Sequence, residues 1–138
     1  MSRTTALEQD LSARAPASTA ANLRVVSVIL NTNRRQDTLE CLASLAASTY
    51  ANHRVIVLDN ASTDGSVAAI QAAFPEVRVI ALEHNLGYAG NNNVGITAAL
   101  DEGAEWVFVL NEDTVLAPDC IAALATLETI RERAADFH

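Results

Sequence analysis

Asp113 stands just past the apolar run Trp106–Leu110 (WVFVL), in the tetrapeptide Asn111-Glu112-Asp113-Thr114. Carboxylate and amide oxygens at the end of a buried strand suit a hard divalent cation, Mg2+ or Mn2+. Such a cation bridges diphosphate oxygens and offsets charge on a departing nucleotide diphosphate. On position alone, Asp113 could equally cap the turn that follows. Asp59 ends a second apolar run, HRVIVL, and leads into Asn60-Ala61-Ser62-Thr63-Asp64-Gly65. A carboxylate at that point can accept from a base N–H or a ribose hydroxyl, whereas Asp64 reads as a helix cap. Gly87, Gly90 and Asn91-Asn92-Asn93 open a helix, where glycine permits close backbone approach and the helix N-terminus favours anions. Turns of this composition are also common without a ligand. His84 reads as a loop histidine, and Arg34 and Arg35 as exposed arginines at a helix start.

The chain contains no lysine. P-loop phosphate binding, Schiff-base chemistry and a receiver-type phosphoaspartate site are thereby excluded. Phosphate, if handled, must meet arginine, backbone N–H groups or a metal.

The elements that must position these residues follow from hydrophobic periodicity. Arg24–Leu30, His53–Leu58, Val77–Leu82 and Trp106–Leu110 are short, Val/Ile/Leu-rich runs with polar stops, which predicts four strands. Between them lie helical patterns. Asp37 with Glu40 has capping-box spacing ahead of Leu39, Leu42 and Leu45. Asp64 precedes Val67, Ile70 and Phe74, with Pro75 at the end. A third helix is expected from about Asn91 to Glu102, closed by Gly103. A last one opens at Pro118-Asp119, with Ile121, Leu124, Leu127 and Ile130 on one face. Strands alternating with helices predict right-handed βαβ units, hence an α/β fold with a parallel sheet covered on both faces.

In such sheets ligands lie beyond the carboxyl ends of the strands. The segments after the four strands are the polar ones: Asn31 to Arg35, Asp59 to Gly65, Glu83 to Tyr88, and Asn111 to Thr114. The opposite strand ends carry ordinary short connections. This asymmetry marks one edge as the candidate site.

Length and charge narrow the class. With 138 residues, half of them hydrophobic, the chain suffices for one domain with its own core. A net charge of −8 argues against nucleic acid and anionic membranes as partners. No apolar run approaches the roughly 20 residues of an integral membrane span. Residues 1–22 lack a signal-peptide core and read as a flexible N-terminal tail, leaving 23–138 as the domain. Cys41 and Cys120 fit no disulfide or metal pattern and read as buried thiols, which makes a cytoplasmic location the expectation.

Four blocks in order, VSVILNTNRR, VIVLDNASTDGS, NLGYAGNNNVGI and WVFVLNEDTVLAPD, together resemble family 2 glycosyltransferases, in particular the rhamnosyltransferase-like branch. The likeness covers residues 24 to 125. It implies a GT-A fold, a Rossmann-like three-layer α/β/α arrangement with a mainly parallel sheet, here truncated. It also implies a dTDP- or UDP-sugar donor, inverting transfer, and a role in polysaccharide or glycoconjugate synthesis. By that analogy Asn31, Thr32 and Asn33 line the nucleotide pocket. Asp59 and Asn60 meet the base or ribose, while Asn85, Gly87, Asn91 and Asn92 lie against ribose and diphosphate. Asn111 and Asp113 occupy the place of the Asp-X-Asp metal motif, with Asp113 the ligand to Mg2+ or Mn2+. Thr32 replaces a frequent tyrosine, Asn111 the first acid of the motif, and Glu112 a frequent proline that it could exchange for a second carboxylate.

The resemblance further implies a later acceptor-binding half that carries the catalytic base, which no residue here obviously supplies. The expectation is therefore a partial domain, with a second copy or a partner chain covering its exposed face. A non-catalytic nucleotide-sugar-binding module is the alternative. A dinucleotide-binding or receiver domain fails, because the first strand is followed neither by G-x-G-x-x-G nor by an acidic pair.

Overall fold

The computed structural model describes residues 23–135. The expected tail at 1–22 lies outside them, as does the side chain of Ile130. The four predicted strands all form: β1 (Val25–Asn31), β2 (His53–Asp59), β3 (Arg78–Ala81) and β4 (Trp106–Leu110). They make one parallel sheet in the order β3-β2-β1-β4. The helices α1 (Arg35–Ala46), α2 (Ser66–Ala73), α3 (Gly87–Asp101) and α4 (Cys120–Ala135) alternate with the strands.

Strand periodicity of two decides which side chains meet which helices. Val25 and Ile29 of β1 and Val57 of β2 pack with Cys41, Leu42 and Leu45 of α1, Ile70 of α2, and Ile121 and Ala125 of α4. Val26 and Val28 of β1, with Ile56 and Leu58 of β2, face the other way and pack with Ala99 of α3. The result is three layers, with α1, α2 and α4 on one face and α3 on the other. Each fully buried Val, Ile or Leu contributes about 1.5–3 kcal/mol, so these two clusters hold the sheet flat against its helices. Gly95 lets α3 come closest. A Cβ there would overlap Val28 Cγ1 and stand 2.9 Å from Leu58 Cδ1.

Three local expectations are corrected. First, α1 does not start from a capping box, since Asp37 lies inside its first turn and Arg34 occupies the cap position. The acceptors come from elsewhere: Asn31 Oδ1 takes the Arg34 N–H at 3.3 Å, and Asp64 Oδ2 takes the Arg35 N–H at 3.0 Å. Second, α3 begins at Gly87 rather than near Asn91. Asn91 Oδ1 accepts from the Leu86 N–H at 2.8 Å and Asn85 Oδ1 from the Gly87 N–H at 3.1 Å, so the first turn forms across the glycines. Third, Leu127 is 61 % exposed, and Ala125 takes the buried position on α4. Cys120 is half-buried, while Cys41 is fully buried as expected.

The order β3-β2-β1-β4 has a consequence for function. The chain moves outward from β1 to β3, then crosses through α3 to β4 on the far side of β1. The carboxyl ends of β1 and β4 therefore flank the topological switch point, where α/β sheets leave a crevice.

Candidate functional site

Two constellations stand on either side of the end of β1. On the β2 side, the last residues of two neighbouring strands, Asn31 and Asp59, are register partners. Both odd-numbered side chains point to the α1 face. Asn31 Nδ2 donates to Asp59 Oδ1 at 2.9 Å and to Ser62 Oγ at 3.1 Å. Thr38 of α1 donates its hydroxyl to Asn31 Oδ1 at 2.7 Å. The second Asp59 oxygen accepts the Ser62 N–H at 3.0 Å. Asn31 and Thr38 are wholly buried, and Asp59 is 4 % exposed.

Asn33, in the left-handed region at φ 54°, stitches this loop to the next. Its N–H donates to Ser62 Oγ at 2.9 Å, and its Oδ1 accepts the Thr63 N–H at 2.7 Å. Asparagine tolerates this backbone conformation better than most residues. Asn60 is half-buried, and its N–H donates to the Asn31 carbonyl at 3.0 Å. Asp64 was expected to cap α2, but Gly65 occupies the cap position without a side-chain cap bond; Asp64 lies one residue earlier and accepts from the Ser66 N–H and hydroxyl. The Ser66 hydroxyl bond, ahead of the backbone bonds from Arg35 and Ser66, holds the Asp64 carboxyl below its ordinary range despite some opposing desolvation.

On the β4 side the arrangement is open. Leu30, Thr32, Arg34, Tyr88, Asn111, Glu112 and Asp113 line a cleft of about 370 Å³. Thr32, Asn111 and Asp113 are exposed and Glu112 is half-buried. Tyr88, 64 % exposed, reaches across from α3 to donate its hydroxyl to Asn111 Oδ1 at 3.2 Å. The Arg34 guanidinium pairs with Asp37 at 3.3 Å and lies 3.8 Å from Glu112. Among the described residues it is the one cation lining the cleft. Beneath the acids, burial first and then the charges of Glu112 and Asp113 push the Cys41 thiol up to about 11. Cys41 thus stays protonated and unreactive at neutral pH.

The third predicted segment mostly bonds to itself. Asn85 Oδ1 also accepts from Asn91 Nδ2 at 3.0 Å, and Asn92 Nδ2 donates to the Tyr88 carbonyl at 3.1 Å. Asn91 and Asn92 are buried, and among the described residues Asn92 Oδ1 has no hydrogen-bond partner. Gly87 has φ 80°, the left-handed conformation that starts α3 where it does. Sequence reasoning placed Tyr88 and Ser62 in the polar edge segments without singling them out, and it passed over Thr38. Thr38 left a signal, since it falls on the apolar face of α1 in step with Leu42 and Leu45.

A second hollow, of about 360 Å³, lies at the opposite end of the sheet and includes Leu42, Leu45, Tyr50, His53, Phe74 and Val77 in its lining. His53 there is 2.8 Å from the buried Ser27 hydroxyl, and burial, then Arg54, lowers its pKa to about 4. It lies away from the edge where the polar loops converge, so the chemistry is sought at the β1/β4 cleft.

The family model described as glycosyl transferase family 2 matches residues 27–131 of this chain. The chain belongs to that family. It is 33 % identical over 96 residues to the succinoglycan biosynthesis protein ExoO of Rhizobium meliloti, covering 69 % of this chain and 27 % of that protein. It is 38 % identical over 92 residues to an N-acetylglucosaminyl-diphospho-decaprenol L-rhamnosyltransferase of Mycobacterium tuberculosis, covering 60 % of this chain and 30 % of the relative. The chain thus spans less than a third of the length of either.

Among solved structures it is similar to a Pyrobaculum calidifontis mannosyltransferase in complex with GDP-Man and Mn2+. The TM-score is 0.65 at 25 % identity, over 75 % of this chain and 32 % of that one. Staphylococcus aureus TarS 1-349 in complex with UDP matches with a TM-score of 0.66 at 22 % identity, over 75 % of this chain and 31 % of that one. The α/β fold of this family 2 glycosyltransferase domain is therefore of the GT-A type. Among the described residues no helix is long and apolar enough to cross a membrane.

Proposed function

We propose that this domain binds the nucleotide diphosphate-sugar donor, dTDP- or UDP-linked, of an inverting glycosyl transfer in polysaccharide or glycoconjugate synthesis. The observation that carries this reading is the cleft at the β1/β4 switch point. There Asn111, Glu112 and Asp113 present oxygens beside Thr32, Arg34 and Tyr88, one strand away from the held Asp59 carboxylate. Asp59 would take the base or ribose, and Arg34 would draw the diphosphate.

A hard divalent cation, Mg2+ or Mn2+, fits the donor set, because Asp113, Glu112 and Asn111 offer oxygens only. Among the described residues no three His, Cys, Asp or Glu side chains cluster to hold a metal by themselves. That suits a cation held by one or two carboxylates together with substrate phosphates, a common arrangement for Mg2+. When bound, such a cation would neutralise charge developing on the departing nucleotide diphosphate. The chain's own residues would orient the donor and shield the nucleoside.

Inverting transfer also needs a base within hydrogen-bond reach of the acceptor hydroxyl, opposite the leaving group. We assign that role to no residue here and place it on the acceptor-binding part that the longer relatives have room to carry. Among the described residues β4 has no strand on its outer side, and that edge is the one such a part, or a second copy, would cover. A cytoplasmic location accords with the negative charge and the free thiols.

Electron paramagnetic resonance of Mn2+ tests the donor site. Adding the chain together with UDP should broaden or remove the Mn2+ signal beyond the loss that UDP alone causes, and the Asp113→Ala variant should add nothing to the effect of UDP alone. A wild-type signal identical to that of Mn2+ with UDP alone would overturn the metal-assisted reading.

A further inference from the structure

We propose that Asn31 and Thr38 are positioning residues that fix the Asp59 carboxylate for the nucleoside, and that Asn31 makes no ligand contact of its own. The inference rests on nucleotide binding at this edge and reassigns one residue that its place after β1 would put in the pocket.

An asparagine side chain offers two donors and two acceptor lone pairs. Asn31 uses all four: Nδ2 toward Asp59 and Ser62, Oδ1 toward the Thr38 hydroxyl and the Arg34 N–H. Its orientation is forced, because a flipped amide would set its NH2 against the Arg34 N–H and its oxygen against the Asp59 carboxylate. With no exposed surface and no spare hydrogen-bonding group, it has nothing to offer a ligand. Asp59 differs. Among the described residues each of its oxygens has one protein bond, from Asn31 or from the Ser62 N–H, which leaves a lone pair on each for a base N–H or ribose hydroxyl.

Thr38 sits one helical turn into α1 and sets the amide from behind. Its hydroxyl makes the shortest bond in the group, at 2.7 Å, and its position is fixed by the helix rather than by the loop. The chain of bonds therefore runs from a rigid helix, through Asn31, to the carboxylate. The ordering cost of placing Asp59 is met on folding, not on binding.

The experiment compares UDP with inorganic pyrophosphate, each titrated with Mn2+ into the wild-type chain and the variants Thr38→Val and Thr38→Ser. Pyrophosphate samples the Asp113 side alone. Thr38→Val keeps the shape and removes the hydroxyl. UDP affinity should fall about tenfold, while pyrophosphate affinity stays within about twofold and Thr38→Ser restores UDP binding. In parallel, the Asn31 side-chain amide protons of the wild-type chain, followed by NMR, should remain protected from exchange and shift little on UDP addition. This second readout does not depend on the variant folding.

Unchanged UDP binding by Thr38→Val, equal losses for UDP and pyrophosphate, or a large UDP-induced shift at the Asn31 amide would each overturn the positioning role alone. A wild-type chain that binds pyrophosphate but not UDP would overturn the nucleoside reading and this inference with it.

Discussion

The two sides of the β1 carboxyl end are built on opposite plans. Toward β2, Asn31, Asp59, Thr38 and Ser62 form a closed network of buried hydrogen bonds. Toward β4, Asn111 and Asp113 are exposed, and Tyr88 and Arg34 lie over the cleft with well over half their surface in solvent. Buried polar groups must be satisfied at folding, whereas exposed oxygens can wait for a ligand. On the proposed reading, the comparison separates a preorganised nucleoside end from an adaptable diphosphate end.

Substitutions can break that contrast. Asp113→Ala should have the largest effect on ligand binding, lowering Mn2+-dependent UDP affinity by about a hundredfold or more, in line with loss of a charged contact to a metal. Its thermal midpoint should stay within about 2 °C of wild type, because the side chain is exposed. Asn31→Leu should do the reverse to the fold. It strips Asp59, Ser62, Thr38 and the Arg34 N–H of their shared partner and should cost about 2–4 kcal/mol in urea denaturation. If Asp113→Ala proves the more destabilising of the two, the division into open and closed sides fails.

A smaller effect should come from the far end of the sheet. His53 is held neutral with its pKa lowered to about 4, against 6.5 for the unperturbed side chain. Between those values the unfolded chain binds more protons than the folded one, so stability falls as pH drops from about 6.5 to 4. The loss attributable to His53 should be about 2 kcal/mol after allowing for its partial exposure, and it should vanish in His53→Gln when urea midpoints are compared across that window. Nucleotide affinity per folded molecule should not follow the same titration, which would keep the second hollow apart from the site.

The smallest effect is expected for Tyr88→Phe. Its hydroxyl bond to Asn111 is surface-exposed, so stability should shift by no more than about 0.5 kcal/mol. UDP affinity should change by less than about threefold. A loss comparable to that of Asp113→Ala would show that the β4 side is held by Tyr88 and is not open.

The strands, their parallel pairing and the polar edge beyond their carboxyl ends were legible because alternation and the position of polar stops are local properties. The starts of α1 and α3 were not. One of the two acceptors at the start of α1 is Asp64, 29 residues after Arg35, and no local window contains it. The first turn of α3 was hidden by Gly87 and Gly90, which read as loop, although Asn85 and Asn91 supply the acceptors that let it form. Asp113, Asn111 and Thr32 do reach the expected cleft. Asn31, Asn91 and Asn92 lie at the expected edge but face inward. A polar residue after a strand signals its place at that edge, yet whether its side chain is spent on the scaffold depends on partners from other elements, as Thr38 of α1 is for Asn31. Leu127 failed for a related reason, since Ala125, small enough to sit against the sheet, took the inner position.

Calorimetric titration of the purified chain with UDP and dTDP, with and without Mn2+, beside Asp113→Ala, tests the donor-site assignment most directly. The account predicts binding that requires the metal and disappears in the variant while the fold persists. Metal-independent binding that Asp113→Ala leaves intact, or no binding by a folded wild-type chain, would contradict it.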